Sequence, residues 1–163
     1  MFMRYFTLKT KAEVEAAEAE FADNPNALKR MLAEELTVRI HSKEAFESVQ
    51  KVSELLFNPR MKKDMLLSLS KAELDMVAAE IPTFTIPKAA LSDHPNITDL
   101  LTDLAGILSS KGEARRAIKN NAISVNKEKI TSHETPVSPE ALLHDRYIMI
   151  ENGKRNKFLL IAE

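Results

Sequence analysis

The chain has 163 residues, 44% apolar and 29% charged, with 23 Lys+Arg against 24 Asp+Glu and a formal net charge of −1. This length supports one sizeable core or two small domains, and near-neutrality excludes a global pull on nucleic acid, so any such attraction must come from a local patch. The absence of cysteine excludes disulfides and thiolate metal sites and fits a reducing, cytoplasmic setting. With only Gly106, Gly112 and Gly153 as glycines, no GxGxxG or GxxxxGKS phosphate loop is possible.

No run reaches transmembrane length, and "MFMRYF" is too short and too polar for a signal peptide. The first half reads as helices. Thr10–Glu13 ("TKAE") and Ser70–Glu73 ("SKAE") are capping boxes, and Asn24–Pro25 offers an N-cap followed by proline in the first turn. Leu28, Met31, Leu32, Leu36 and Ile40 recur at helical spacing. Ala45, Val49, Val52 and Leu56 share one face of a helix over Lys43 to Leu56, which "FNPR" terminates. Between Glu80 and Asn96, three of the seven prolines exclude continuous helix, and a domain boundary is expected near Asp93.

The second half mixes periods. Ile97 to Ile107 reads as helix, and Ser110–Glu113 ("SKGE") is a third capping box opening a helix to about Asn120. "AISVN" then alternates as a half-buried strand, with Ile123 and Val125 on one face. Ser138–Pro139 can start one helical turn. Two apolar runs around Asn152–Gly153 read as a hairpin in which both turn residues need positive φ. The expected layout is α+β: a helical domain over 1–93, then a module of two helices, a strand and a closing hairpin over 94–163.

The helix opened by Ser110 concentrates charge. Lys111, Arg115 and Lys119 fall within about 80° of arc and Arg116 about 60° further, while Ala114, Ala117 and Ile118 lie opposite. A solvated helix face normally mixes signs; here only Glu113 interrupts. Lys127 and Lys129 extend the patch beyond the strand, and Lys154, Arg155 and Lys157 add to it around the hairpin turn. Charge alone leaves two readings open, a solvated face or a surface for phosphate.

"SSKGEARRAIKNNAISVNKEKI" resembles the RNA-binding module named after small-subunit ribosomal protein S-four, in which a basic helix and a following strand and turn grip structured RNA. Ser110 and Lys111 match its helix opening, Ala114, Arg115 and Arg116 its basic core, Ile118 its buried position, and Asn121 through Asn126 its strand and turn. Lys127 stands where that family usually has glycine. Together with "NGKRNKFLLIA" and "MLAEELTVRIHSKEAFESVQKVSELLF", the stretch resembles the C-terminal region of bacterial tyrosyl-tRNA synthetases. Leu32 to Thr37 and His41 match that family's Leu-Ala-Glu-x-Val-Thr…His pattern, with Ser42 in place of a common glycine. "RYFTLKTKAEVEAAEAEF" resembles the stretch leaving the catalytic domain, which implies a fragment with Met1 or Met3 near an interior junction. The signatures His-Ile-Gly-His and Lys-Met-Ser-Lys-Ser occur nowhere in the sequence.

The resemblance implies a non-catalytic chain that holds tyrosine tRNA at its anticodon stem and long variable arm. ATP and tyrosine would bind a catalytic domain outside it, and no cofactor is expected in this chain. It also implies a monomeric fragment of a homodimeric, cytoplasmic parent with no membrane partner. Lys111, Arg115, Arg116 and Lys119 are expected on the RNA backbone, with Asn121, Asn126, Lys127 and Lys129 shaping the grip. Arg30, Arg39, Lys43, Lys154, Arg155 and Lys157 are secondary candidates.

No catalytic or metal-ligating set is expected. His41, His94, His133 and His144 lack ligand spacing, and Glu34 and Glu35 point about 100° apart on a helix. Tyr147 and Phe158 read as core rather than base-stacking residues. Two other readings remain: a stand-alone ribosome- or rRNA-associated protein, and a helical protein-interaction domain without an RNA role.

Overall fold

The computed structural model describes residues 3–58 and 61–163. Pro59 and Arg60 of the "FNPR" stop signal therefore lie outside the described residues, as do Met1 and Phe2 of "MFMRYF". The chain divides into two compact units, Met1–Lys51 and Val52–Glu163, well ahead of the boundary expected near Asp93.

In the first unit, α1 (Met3–Phe6), α2 (Lys11–Glu20) and α3 (Pro25–Ile40) gather Met3, Val14 and Leu32 into a small core edged by Leu28, Met31 and Leu36. Their ends follow the local signals. Thr10 and Glu13 form a reciprocal capping box on α2, and Asn24 caps α3 with Pro25 in its first turn. Glu35 accepts hydrogen bonds from Thr7 Oγ1 (2.6 Å) and Leu8 N (2.9 Å), tying α3 to the α1–α2 loop.

The dividing line falls within α4 (Lys43–Phe57). The second unit continues with α5 (Lys63–Leu67), α6 (Lys71–Glu80), β1 (Thr83–Ile86), α7 (Lys88–Ser92) and α8 (Ile97–Asp99), which runs into a π-turn over Leu100–Leu104. Then come α9 (Lys111–Lys119), β2 (Ile123–Val125), β3 (Glu128–Lys129), a 3-10 turn at Pro139–Ala141, β4 (Tyr147–Asn152) and β5 (Asn156–Ala162). The sheet order is β1-β5-β4-β2-β3, with β1 parallel to β5 and the other pairs antiparallel. The architecture is α+β, as expected. No helix among the described residues is long and apolar enough to cross a membrane.

Both faces of this sheet are covered, which is why Tyr147, Ile148, Met149 and Ile150 are buried in succession rather than alternately. Ile148, Ile150, Leu160 and Ile123 meet Leu100, Leu101, Ala114 and Ile118 on one side. Tyr147, Met149 and Leu159 meet Val52, Leu55, Leu66, Leu74 and Val77 on the other. The second face draws Val52–Glu80 into the same unit as the hairpin, so the division falls at residue 52.

Four expectations are corrected. The proline-rich segment contains strand β1, whose Phe84 pairs with Leu160, so the strand and hairpin expected over 94–163 are joined by β3 and β1 in a five-stranded sheet. β2 is buried on both faces, Ser124 being only 2% exposed. "SKGE" is not a reciprocal box: Ser110 Oγ accepts from Glu113 N, but the Glu113 carboxylate accepts from Ser109 N and Ser109 Oγ. The β4–β5 turn closes on Asn152↔Asn156, leaving a three-residue loop in which Gly153 alone has positive φ (76°).

Candidate nucleic-acid interface

α9 is fixed at both ends and along one side. Ala114 and Ile118 are buried in the core, and Ser110 caps the N-terminus. At the C-terminus Ala122 N donates to Ala117 O and Asn121 N to Ile118 O, both at 2.9 Å. These are the two bonds of a Schellman motif. Asn121, at φ 53°, holds the left-handed position that glycine usually fills. Arg115, Arg116 and Lys119 stand exposed on the outer side, without a hydrogen bond or ion pair among the described residues. Arg116 helps hold the Glu113 carboxyl below its ordinary range, behind the larger effect of the Ser109 hydrogen bonds.

The cationic residues expected around α9 separate by what their charged groups touch. Lys111 Nζ lies 2.6 Å from Asp99 and 2.8 Å from Asp103. The Asp103 hydrogen bond, then that of Asp99, raises the lysine above its ordinary range and Lys111 lowers Asp103. Lys127 lies 2.7 Å from Glu151, its side chain only 6% exposed. Lys129 Nζ donates to Asn121 O at 2.9 Å, bracing the same helix end. Lys157 is buried and donates to the carbonyls of Leu55 and Leu56, and its burial lowers its pKa.

Asn126 is buried as well: its amide donates to Ala141 O (2.6 Å) and its carbonyl oxygen accepts from Met149 N (2.9 Å). With Lys127 it makes a two-residue turn between β2 and β3, both residues at positive φ (46° and 70°). That is a type I′ geometry, so Lys127 takes the strained conformation rather than another turn type.

Lys154 and Arg155, in the β4–β5 loop, are exposed and have no partner among the described residues. Gly153 N donates to Ala122 O at 2.8 Å, and Ile123 pairs with Asn152. This loop therefore sits beside the end of α9, and Lys119, Asn121, Lys129, Lys154 and Arg155 come together at one edge of the second unit. In the first unit, Arg30 is exposed without a partner among the described residues, Arg39 donates to Phe6 O (2.8 Å), and Lys43 lies 3.7 Å from Glu47.

Tyr147 is core, its hydroxyl donating to Asp75, and Phe158 packs edge-to-face on Phe84 with ring centroids 6.0 Å apart. The histidines are dispersed: His144 bonds the Leu69 carbonyl at 2.7 Å, and His41 ends α3. Sequence reading missed the counter-charges. Asp99 and Asp103 carried a usable signal, their i,i+4 spacing on the preceding helix. Glu151 carried none, since it meets Lys127 only through the β2–β4 register.

The family model described as the tyrosine–tRNA ligase SYY-like C-terminal domain matches residues 73–160. The tyrosine–tRNA ligase of Cytophaga hutchinsonii is 39% identical over 163 residues, covering 98% of this chain and 38% of that protein. That of Porphyromonas gingivalis is 34% identical over 164 residues, covering 99% and 38%. A solution structure of a tyrosyl-tRNA synthetase C-terminal domain, 29% identical, covers 58% of this chain and 91% of that chain at a TM-score of 0.46. The chain thus spans 38% of the length of the curated relatives it matches.

Proposed function

The chain belongs to the family of tyrosine–tRNA ligase SYY-like C-terminal domains, and from that premise we propose that it is a tRNA-binding part of such a ligase. It holds tyrosine tRNA at the anticodon stem and long variable arm while ATP-dependent tyrosylation proceeds on a catalytic domain outside these 163 residues. The observation that carries this reading is the state of Arg115, Arg116 and Lys119: exposed on a rigid, capped helix and without protein partners among the described residues. Cations already paired with carboxylates have little field left for phosphate. Unpaired guanidinium groups keep their planar donor forks available for bidentate phosphate contact.

Lys154 and Arg155 continue the surface across the neighbouring loop. Lys111, Asn126, Lys127, Lys129 and Lys157 serve it indirectly, by holding α9, the β2–β3 turn and β5 in place. Phosphate contacts supply affinity, and RNA shape supplies choice.

The test is titration of the chain and its Arg115→Glu/Arg116→Glu variant with tyrosine tRNA, intact and lacking the variable arm, across a salt series. The variant is expected to bind at least tenfold more weakly, its plot of log K against log salt shallower by about 0.7–0.9 for each phosphate no longer neutralised. Equal affinity for both RNAs would remove the variable-arm claim. Unchanged affinity in the variant would remove α9 from the interface, and no binding to either RNA would remove the reading altogether.

A further inference from the structure

α4 ends on an aromatic ring that the core does not use. Val52 and Leu55 of this helix are buried, whereas Phe57 is 81% exposed and makes no ring contact among the described residues. The end of the helix is nevertheless held in place. Lys157 Nζ donates to the carbonyls of Leu55 and Leu56, filling acceptors that a helix C-terminus leaves open. Phe57 is thereby fixed beside the start of β5.

Between the two lies a cavity of about 250 Å³ whose walls include Phe57, Glu80, Pro82, Arg155, Asn156 and Phe158. It is smaller than the usual pocket for a drug-sized ligand. Its chemistry is mixed in a specific way: an exposed π-face, a guanidinium without a protein partner among the described residues, and an amide and a carboxylate able to bond a base edge. An unpaired nucleotide offers the matching set of base face, phosphate and base-edge donors and acceptors. Arg155 belongs to the loop joined to the end of α9 through Gly153 N and Ala122 O (2.8 Å), so the cavity shares this residue with the cationic edge already described.

We propose that this cavity holds one unpaired nucleotide of the bound RNA, its base stacked on Phe57 and its phosphate on Arg155. The proposal rests on the RNA-binding reading above and adds a site to it. Glu80 favours a base edge that donates, such as the amino group of adenine or cytosine.

The chain contains no tryptophan, so Phe57→Trp introduces a single fluorescent indole at the stacking position. Tyrosine tRNA is titrated into the full chain carrying this substitution, while the anisotropy of end-labelled tRNA reports binding separately. Quenching of the indole is expected to saturate with the same midpoint as the anisotropy. Phe57→Ala is expected to weaken binding about tenfold with an unchanged melting temperature, Arg155→Ala severalfold, and Phe57→Trp hardly at all. RNA bound at full affinity with an unquenched indole and a neutral Phe57→Ala would overturn the pocket and leave the α9 reading standing. Absence of RNA binding by the unsubstituted chain would overturn both.

Discussion

Lys127 sits at φ 70° in a two-residue turn, a conformation that costs a non-glycine residue about 1–2 kcal/mol. Its ammonium, 2.7 Å from Glu151, forms an ion pair whose side chains are only 6% and 14% exposed. These two effects oppose each other when Lys127 is replaced. Glycine relieves the backbone but removes the hydrogen-bonded partner of the enclosed Glu151 carboxylate, which costs about 3 kcal/mol. Lys127→Gly is therefore expected to destabilise the chain by about 1–2 kcal/mol in urea unfolding, and adding Glu151→Gln should recover most of the loss. A single glycine variant more stable than the parent would show that turn strain dominates.

At the scale of elements, the end of α9 decides where its charges stop and β2 begins. Asn121 closes that end in the left-handed region, with Ala122 N and Asn121 N bonded back to Ala117 O and Ile118 O. Glycine enters this conformation without a Cβ penalty, and alanine does not. Asn121→Gly should melt at or above the parent temperature, while Asn121→Ala should lose about 1 kcal/mol. Equal melting of the two variants would show that the motif contributes nothing.

Elements marked by such local chemistry were readable beforehand: the capped starts of α2, α3, α6 and α9, the strand at β2, and the two long strands around Gly153. β1 was not. Its "TFTI" is four residues bounded by Pro82 and Pro87, and it becomes a strand by pairing parallel with β5, more than seventy residues later. β3 has only two residues and depends on the turn that precedes it. The double burial of β2 and β4 was hidden as well, because it comes from helices packed on both faces of the sheet rather than from the strands' own periodicity.

Across the whole molecule, carboxylates hydrogen-bonded in the fold couple stability to acid. The hydroxyl of Thr7 and then the backbone N–H of Leu8 hold Glu35 below its ordinary value of 4.5. Thr10 does the same for Glu13, Arg4 for Glu18, Lys111 for Asp103 and Ser109 for Glu113. Each group has a folded pKa below its unfolded one, so the unfolded chain takes up the proton first as pH falls. The stabilisation is present above the ordinary carboxylate range and disappears as pH falls through it. Melting temperature should hold from pH 7 to about 5 and then decline steadily toward pH 3. Glu35→Gln should show a smaller decline than the parent; an equal decline would remove Glu35 from this account.

What the sequence determined by itself is the set of local devices: capped helices, a basic helix with an apolar underside, a strand after it and a closing hairpin. These depend on interactions between residues a few positions apart. Which cations remain unpaired among the described residues was decided only in three dimensions. Asp99 and Asp103 occupy Lys111, Glu151 occupies Lys127, and two carbonyls of α4 occupy Lys157, whereas Arg115, Arg116, Lys119, Lys154 and Arg155 are left to solvent. A side chain's charge is written in the sequence, but its partner depends on which distant segment the sheet register and helix packing bring within about 3 Å.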